Sequence, residues 1–385
     1  SNPDNLPPNV SEWTPYLGDG GDANPYGMPS PYEEHVVRRN VEWLTATTEA
    51  SVNFTPIHEL EGFVTPNGLC FERHHGGVPE VIPSDYRLMI NGLVDREMIF
   101  TLDDLKRFPQ TNRFYFLECA ANGGMEWRGA QLNGCQYTFG MVHNVQYTGV
   151  LLKDLAREVG VKPDATWILS EGGDSSGMNR SIPIDKIMDD CMIAWAMNDE
   201  DIPLQNGFPL RLVCAGWPGS VSGKWLNRLV IRNKVHDGEK MAAPSYSVPN
   251  RNVAPGSRVP NEDMQIIESM PVKSLVTYPQ SGIDHDYRQR MTVRGHAWAG
   301  DNQISGVFLS IDFGATWLPT AVGAASNRLS WQSFESWVQF PEPGYYEIWA
   351  RAMDNLGRSQ PMVVPGWNPR GYLNNACHRV AVQAT

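Results

Sequence analysis

Glycine and proline punctuate this chain so often that few stretches are free to form a long helix. The 385 residues include 35 glycines and 29 prolines, about 17 % against a usual ~12 %. Glycine raises the entropy cost of a regular segment, and proline removes a backbone donor, so short strands joined by shaped loops are expected. The punctuation is uneven and divides the chain. Residues 1–40 carry Pro3, Pro7, Pro8, Pro15, Pro25, Pro29 and Pro31 among Gly, Asn and Asp, and read as an extended arm with little apolar surface to bury. Residues 41–250 are mixed: strands are expected at 86–92, 113–118, 167–170, 192–197, 210–214 and 226–232. Thr101 with Asp104 three residues on forms a capping box that opens a short helix. From Ala242 to Asp263 come Pro244, Pro249, Pro255 and Pro260, a connector with its linker at 251–262. Residues 263–385 alternate in runs at 291–298, 306–312, 329–340, 345–352 and 378–383, which is the grammar of an all-β sandwich of immunoglobulin-like type. An α+β protein of two domains follows, as the length also suggests.

Composition removes several function classes. Lys and Arg number 31 against 43 Asp and Glu, a net charge of −12, and no basic run offers the phosphate-neutralising surface that nucleic-acid binding needs. No apolar run approaches the ~18 residues of a membrane span. The chain opens Ser1-Asn2-Pro3, which reads as a trimmed start with any signal peptide already removed. Six scattered cysteines contain no C-x-x-C pair, so zinc ribbons and c-type haem attachment are not expected. Disulfides are permitted but not required, and most of the six read as small buried hydrophobes.

Three segments carry chemistry. In Glu118-Cys119-Ala120-Ala121-Asn122-Gly123-Gly124 a thiol leaves a strand into a Gly-rich turn. Spacing alone leaves Cys119 as either a core residue or a ligand. In Phe71-Glu72-Arg73-His74-His75-Gly76-Gly77, adjacent basic side chains before two glycines suit an anion, although vicinal histidines also occur on surfaces and at metals. Gly216 to Leu226 is a Gly/Ser-rich loop ending Gly223-Lys224-Trp225. It lacks the P-loop ending and leads into a strand, so an anion contact through Lys224 is possible but nucleotide binding is not expected.

Together these segments resemble the sulfite oxidase family of molybdenum enzymes. The family's F-x-R-N-H is Phe71 to His75, its Cys-Ala-x-Asn turn is Cys119 to Asn122, and its G-x-D loop before S-I-P is Gly172-Gly173-Asp174 before Ser181-Ile182-Pro183. Its H-G-F-P-x-R is Asn206 to Arg211 and its V-K-W-L is Gly223 to Leu226. Gly295 to Trp298, Asp312 to Trp317, and Trp367 to Gly371 with Asn375 to Val380 resemble its dimerisation domain. The resemblance implies a mixed α/β molybdopterin-binding domain over 41–250 and an immunoglobulin-like dimerisation domain over 263–385. It implies a molybdenum–pyranopterin dithiolene with Cys119 as the one protein metal ligand. Phe71, Arg73, His74, His75, Asp174, Asn206, Arg211, Ser222, Gly223 and Lys224 would hold the cofactor, while Arg73, Tyr246 and Arg370 would serve catalysis beside Cys119. No haem is expected in this chain, so electrons would leave to a c-type cytochrome subunit.

Departures from the family pattern narrow the substrate. Gly124 stands where sulfite-oxidising members carry Arg, Tyr147 replaces a pocket Trp, Val221 replaces an Arg, His74 an Asn, and Asn206 a His. Lost cations weaken capture of free sulfite, since each charged hydrogen bond contributes roughly 1.5–3 kcal/mol. A glycine-opened site suits a bulkier sulfur on a tethered arm. This pattern resembles the branch formed by molybdenum subunits of the periplasmic sulfane dehydrogenases of thiosulfate-oxidising bacteria. That branch implies sulfane sulfur held on the cysteine of a carrier protein as substrate and an α2β2 heterotetramer paired through the C-terminal domain. A sulfite dehydrogenase of the same fold, and a cofactor-free interaction protein, are the alternatives.

Overall fold

The structure is a computed structural model. It describes residues 31–41, 49–128, 134–174, 176–238 and 240–385, together with 18–21, 23, 45 and 47. Most of the arm expected over 1–40 lies outside the described residues.

After a two-residue strand β1 (Glu72–Arg73), the first half forms β2 (Leu88–Gly92), β3 (Gln110–Glu118), β4 (Val142–Leu151), β5 (Trp167–Gly172), β6 (Asn179–Pro183), β7 (Met192–Met197), β8 (Arg211–Val213) and β9 (Leu226–Arg232). One antiparallel sheet runs β3-β4-β7-β8; the other runs β2-β9-β5-β6, with β2 and β9 parallel. Three short helices cover them: α1 (Leu102–Leu105), α2 (Leu152–Val159) and α3 (Ile184–Asp190). The capping box at α1 forms as the sequence predicts. The Thr101 hydroxyl accepts the Asp104 amide at 3.1 Å while the Asp104 carboxylate accepts the Thr101 amide at 3.0 Å.

The first sheet is apolar on both faces. Val150, Ile193 and Leu212 point into one cluster with Leu155, Ile168 and Leu229. Their strand neighbours Val145, Met192 and Val213 join Tyr115, Leu117 and Tyr147 in another. This explains why β4 escapes a sequence reading based on alternation: almost every one of its residues is buried, so it shows no period of two. Helix α2 is absent from the expected elements although its pattern is plain in the residues. Leu152, Leu155, Ala156 and Val159 recur at helical spacing and are buried, and Gly160 ends the helix at φ 70°.

The second half is a sandwich. Strands β10 (Lys273–Tyr278), β11 (Met291–Trp298), β12 (Ile304–Ser310), β13 (Gln332–Val338), β14 (Gly344–Asp354) and β15 (His378–Ala384) sort into a sheet β10-β11-β13 facing a sheet β15-β14-β12. Val276, Val293 and Phe334 from one meet Val307, Ile348, Val380 and Val382 from the other. The five expected runs fall on β11 to β15 within a few residues. β10, buried along most of its length, is missing from those runs for the same reason as β4. The proline-rich connector is not a bare spacer: Ser247–Pro249 pairs antiparallel with Met264–Ile266. Among the described residues no helix is long and apolar enough to cross a membrane.

Candidate cofactor and active site

The site forms where β3 runs out. The chain turns at once after Glu118: the Asn122 amide donates to the Cys119 carbonyl at 2.9 Å and the Gly124 amide to the Ala121 carbonyl at 2.8 Å. The Asn122 side chain pins this turn from both ends, accepting the Met141 amide at 3.0 Å and donating to the Glu118 carboxylate at 3.1 Å. Gly123 lies at φ 82°, and a Cβ there would come 2.3 Å from the Phe139 ring. Only glycine serves at that position. The turn presents the Cys119 thiol, half-buried, to a cleft of about 730 Å³.

Phe71, Arg73, His74, His75, Cys119, Asp174, Asn206, Arg211, Ser222, Gly223, Lys224 and Tyr246 all line this cleft. They arrive from separated stretches of the chain, as the motif order predicts. Three residues behave differently. Arg370 is exposed and does not line the cleft. Tyr147 is fully buried behind it, with its hydroxyl 3.1 Å from His143 Nε2. Gly124 is also outside the lining, because the backbone of the C-terminal loop takes the space beside it: a Cβ at Gly124 would sit 3.0 Å from the Gly371 carbonyl oxygen. The glycine therefore does not by itself widen the cleft.

The floor is built from backbone carbonyls that hold cations in place. Arg211, 6 % exposed, donates Nε to the Ser222 carbonyl at 3.2 Å and Nη1 to the Asn206 carbonyl at 3.1 Å. Ser222 accepts the Cys214 amide on its hydroxyl at 2.9 Å, which ties this loop to the end of β8. Lys224 Nζ donates to the carbonyls of Arg73 (3.2 Å) and Gln205 (3.1 Å) and to His74 Nδ1 (2.8 Å), and lies 4.4 Å from the Trp225 ring. Because an ammonium only donates, Nδ1 of His74 is the acceptor, so Nε2 carries the proton and donates to Glu72 at 3.0 Å. Glu72 in turn forms a buried ion pair with Arg38.

Among the described residues no carboxylate lies within ion-pair distance of Arg73, Arg211 or Lys224. Burial and the neighbouring charges of Arg211 and Arg73 hold the Lys224 ammonium well below its ordinary range, with Asp174 opposing them. Burial and nearby cations also push His74 and His75 well below the ordinary histidine range. A concave site whose three cations lack ion-pair partners, with the Asp174 carboxylate offsetting them only in part, suits an anion, which would relieve all of these depressions together. The Cys119 thiol is raised by burial, eased by the Ala121 amide. A metal that displaces its proton would overcome that penalty.

Tyr246 lines the cleft beside the cysteine turn, in one buried cluster with Ala120. It sits at φ 46°, a left-handed conformation that costs a non-glycine residue about 1–2 kcal/mol. The surroundings hold it there. Its carbonyl accepts the Ile267 amide at 3.0 Å, its ring stacks on Tyr372 at 5.7 Å, and the Arg180 guanidinium lies 4.7 Å from the ring centroid. The hydroxyl reaches His75 Nε2 at 3.2 Å. Arg180 is absent from the sequence expectations. It lies one residue before Ser181-Ile182-Pro183, and an Arg on a short strand gives no signal that it faces inward.

The residues present fit a molybdopterin. A cysteine thiolate at Cys119 can supply one strong anionic metal bond, and the Arg211–Lys224 floor suits a terminal phosphate. Among the described residues no group of three or more His, Cys, Asp and Glu side chains is arranged to hold a metal ion, so a metal here would take its remaining ligands from its cofactor.

Comparison with known proteins agrees. Residues 75–240 match the oxidoreductase molybdopterin binding domain, and residues 264–385 match the Mo-co oxidoreductase dimerisation domain. The chain is 33 % identical over 352 residues to mitochondrial sulfite oxidase of Drosophila melanogaster, covering 84 % of this chain and 60 % of that one. It is 30 % identical to sulfite oxidase of Gallus gallus, covering 87 % of this chain and 77 % of that one. The crystal structure of the sulfane dehydrogenase SoxCD from Paracoccus pantotrophus superposes with a TM-score of 0.82 at 39 % identity, covering 96 % of this chain and 94 % of that one.

Proposed function

The chain belongs to the sulfite oxidase family of molybdopterin oxidoreductases, and on that premise we propose that it is the molybdenum subunit of a periplasmic sulfane dehydrogenase. In this reading it oxidises sulfane sulfur, held on the cysteine of a carrier protein, to the sulfonate level. It passes the electrons to a c-type cytochrome partner. The observation that carries the reading is the 39 % identity to a sulfane dehydrogenase over nearly the whole of both chains. The chain spans 60 % of the fruit-fly sulfite oxidase, so activity, substrate and partners remain part of the proposal.

Cys119 would ligate the metal as thiolate. Arg211 and Lys224, with Asn206, Ser222 and Gly223, would receive the cofactor phosphate, while Arg73, His74 and His75 would face the pterin. Bound in this way, the molybdenum cofactor supplies oxygen-atom transfer to sulfur and the two-electron redox change. The protein's own work is positioning. The Glu118–Asn122 contact fixes the thiolate's direction, the neutral His74 relays between Lys224 and Glu72, and Tyr246 offers its hydroxyl on the substrate side. Arg370, exposed two residues before Tyr372, would be available to contact an incoming carrier. Pairing through β10 to β15 would give a dimer and, with the cytochrome, an α2β2 assembly.

Anaerobic turnover with a persulfidated carrier, compared with free sulfite and followed by haem reduction of the cytochrome, tests the reading. Rapid reduction with the carrier and slow reduction with sulfite are expected. Fast sulfite turnover with no response to the carrier would make the protein a sulfite dehydrogenase. A purified protein free of molybdenum and pterin would leave only an interaction role.

A further inference from the structure

Elsewhere in this fold, buried cations are matched. Arg38 has Glu72, Lys186 has Asp190 and Asp301, and Lys273 has Glu118. Arg211 and Lys224 are the exceptions explained by an anionic cofactor. Arg180 is a further exception, and the cofactor floor does not explain it. It is 1 % exposed, and among the described residues no carboxylate lies within ion-pair distance of it. One guanidinium nitrogen bonds the Lys240 carbonyl, while Nε and Nη2 have no hydrogen-bond partner. Leaving a guanidinium buried, unpaired and half unsatisfied is strongly unfavourable. Its close neighbour is the ring of Tyr246, 4.7 Å from centroid to guanidinium, and the Tyr246 hydroxyl is in the cleft beside His75.

We infer that Arg180 is a positioning residue for an oxyanion, acting through Tyr246. Its fixed positive charge behind the ring makes the phenol a stronger hydrogen-bond donor. It thereby readies that end of the cleft for negative charge on sulfur-bound oxygen. The same charge, with the stacked Tyr372, keeps Tyr246 in its strained left-handed backbone so that the hydroxyl stays aimed at the substrate side. The inference rests on the proposed function and names the ligand class at its substrate end: a tetrahedral or pyramidal sulfur oxyanion of the sulfite, sulfate or sulfonate kind.

The test is sulfate binding to the holoenzyme by calorimetry, because the cofactor phosphate then occupies the Arg211–Lys224 floor and sulfate reports only the substrate end. Relative to wild type, Arg180→Gln should weaken sulfate about tenfold or more, the scale of one charged hydrogen bond. Arg180→Lys, which keeps the charge, should stay within about threefold. Tyr246→Phe should lose as much as Arg180→Gln, and the double variant no more than either alone; if the Gln variant folds poorly, Tyr246→Phe losing sulfate affinity while Arg180→Lys keeps it reads the same relationship. Unchanged sulfate affinity in Arg180→Gln, or equal losses in the Lys and Gln variants, would overturn the inference. Wild-type holoenzyme that binds sulfate in this way yet turns over no sulfur substrate would instead overturn the proposed function.

Discussion

Glu118 and Lys273 form an ion pair buried to 0 % exposure on both sides, and it joins the residue before Cys119 to the first strand of the sandwich. Trp298 of β11 donates its indole N–H to the other carboxylate oxygen at 2.8 Å, and Asn122 completes the set. The second domain therefore grips the cysteine turn directly. Breaking a buried pair by removing one partner costs about 3–5 kcal/mol because the other charge is stranded. Lys273→Met should show a loss of that size in denaturant unfolding and reduced molybdenum content. Glu118→Gln with Lys273→Met should recover part of both, since neither charge is then orphaned.

Cys119→Ser should retain the fold yet lose turnover, because a serine hydroxyl is a poor replacement for a soft thiolate. Molybdenum per chain, measured beside steady-state rate, checks this. A Ser variant with full activity would remove Cys119 from its assigned role.

Glu171 gives a pH signature. It is 1 % exposed, one of its oxygens has no hydrogen-bond partner, and burial pushes its carboxyl up to about 7, with Arg228 opposing. Its folded pKa is above the unfolded value, so the folded state binds more protons between about 4.5 and 7. Stability from this group is thus present below about 4.5 and lost as pH rises through 7. Glu171→Gln should leave acid stability unchanged and raise stability above pH 7 by roughly 2–4 kcal/mol, read from urea melts on either side of that window.

His296 and His378 work in the opposite sense. Burial lowers both to about 3. The unfolded chain binds more protons between that value and about 6.5, so stability from these groups is complete above 6.5 and falls as the pH drops towards 3. Melting temperature should decline steadily over that window, and His296→Gln should flatten part of the decline.

Gly124→Arg, which places the sulfite oxidases' cation after the cysteine turn, should fail to confer sulfite capture. Its Cβ meets the Gly371 carbonyl at 3.0 Å, and any shift there moves Tyr372, on which Tyr246 stacks. A displacement of this kind costs on the order of 10²-fold in rate. The comparison is kcat/KM for sulfite in wild type and variant; a gain in the variant would show that the loop yields.

What the residues disclose follows from what makes a local signal. The cleft residues are legible because most sit in or beside turns whose Gly, Pro and Asn content is itself a mark: Asn122-Gly123-Gly124, His75-Gly76-Gly77, Ser222-Gly223-Lys224. The sandwich is legible in strands with one wet face, such as His378–Ala384, whose burial alternates. β4 and β10 are not, since a strand covered on both sides has no period. Lys273 and Glu118 are not, because a buried charge is recognised only by its partner, and these two lie far apart in the chain; Arg180 is not, because its neighbour is the ring of Tyr246 rather than a countercharge. Arg370 shows the converse: a motif match puts it at the site, and the fold leaves it on the surface.

The connector has a consequence for how this enzyme can be taken apart. Tyr246 falls in the interval between residues 240 and 264 that neither matched domain covers, and the segment beginning just after it pairs forward with Met264–Ile266. The catalytic module is therefore not a transferable cassette. A fragment cut at the matched borders, 75–240, would keep Cys119, Arg211 and Lys224 but lose Phe71, Arg73, His74 and Tyr246, and without Lys273 and Trp298 the Glu118 carboxylate beside the cysteine turn would be stranded.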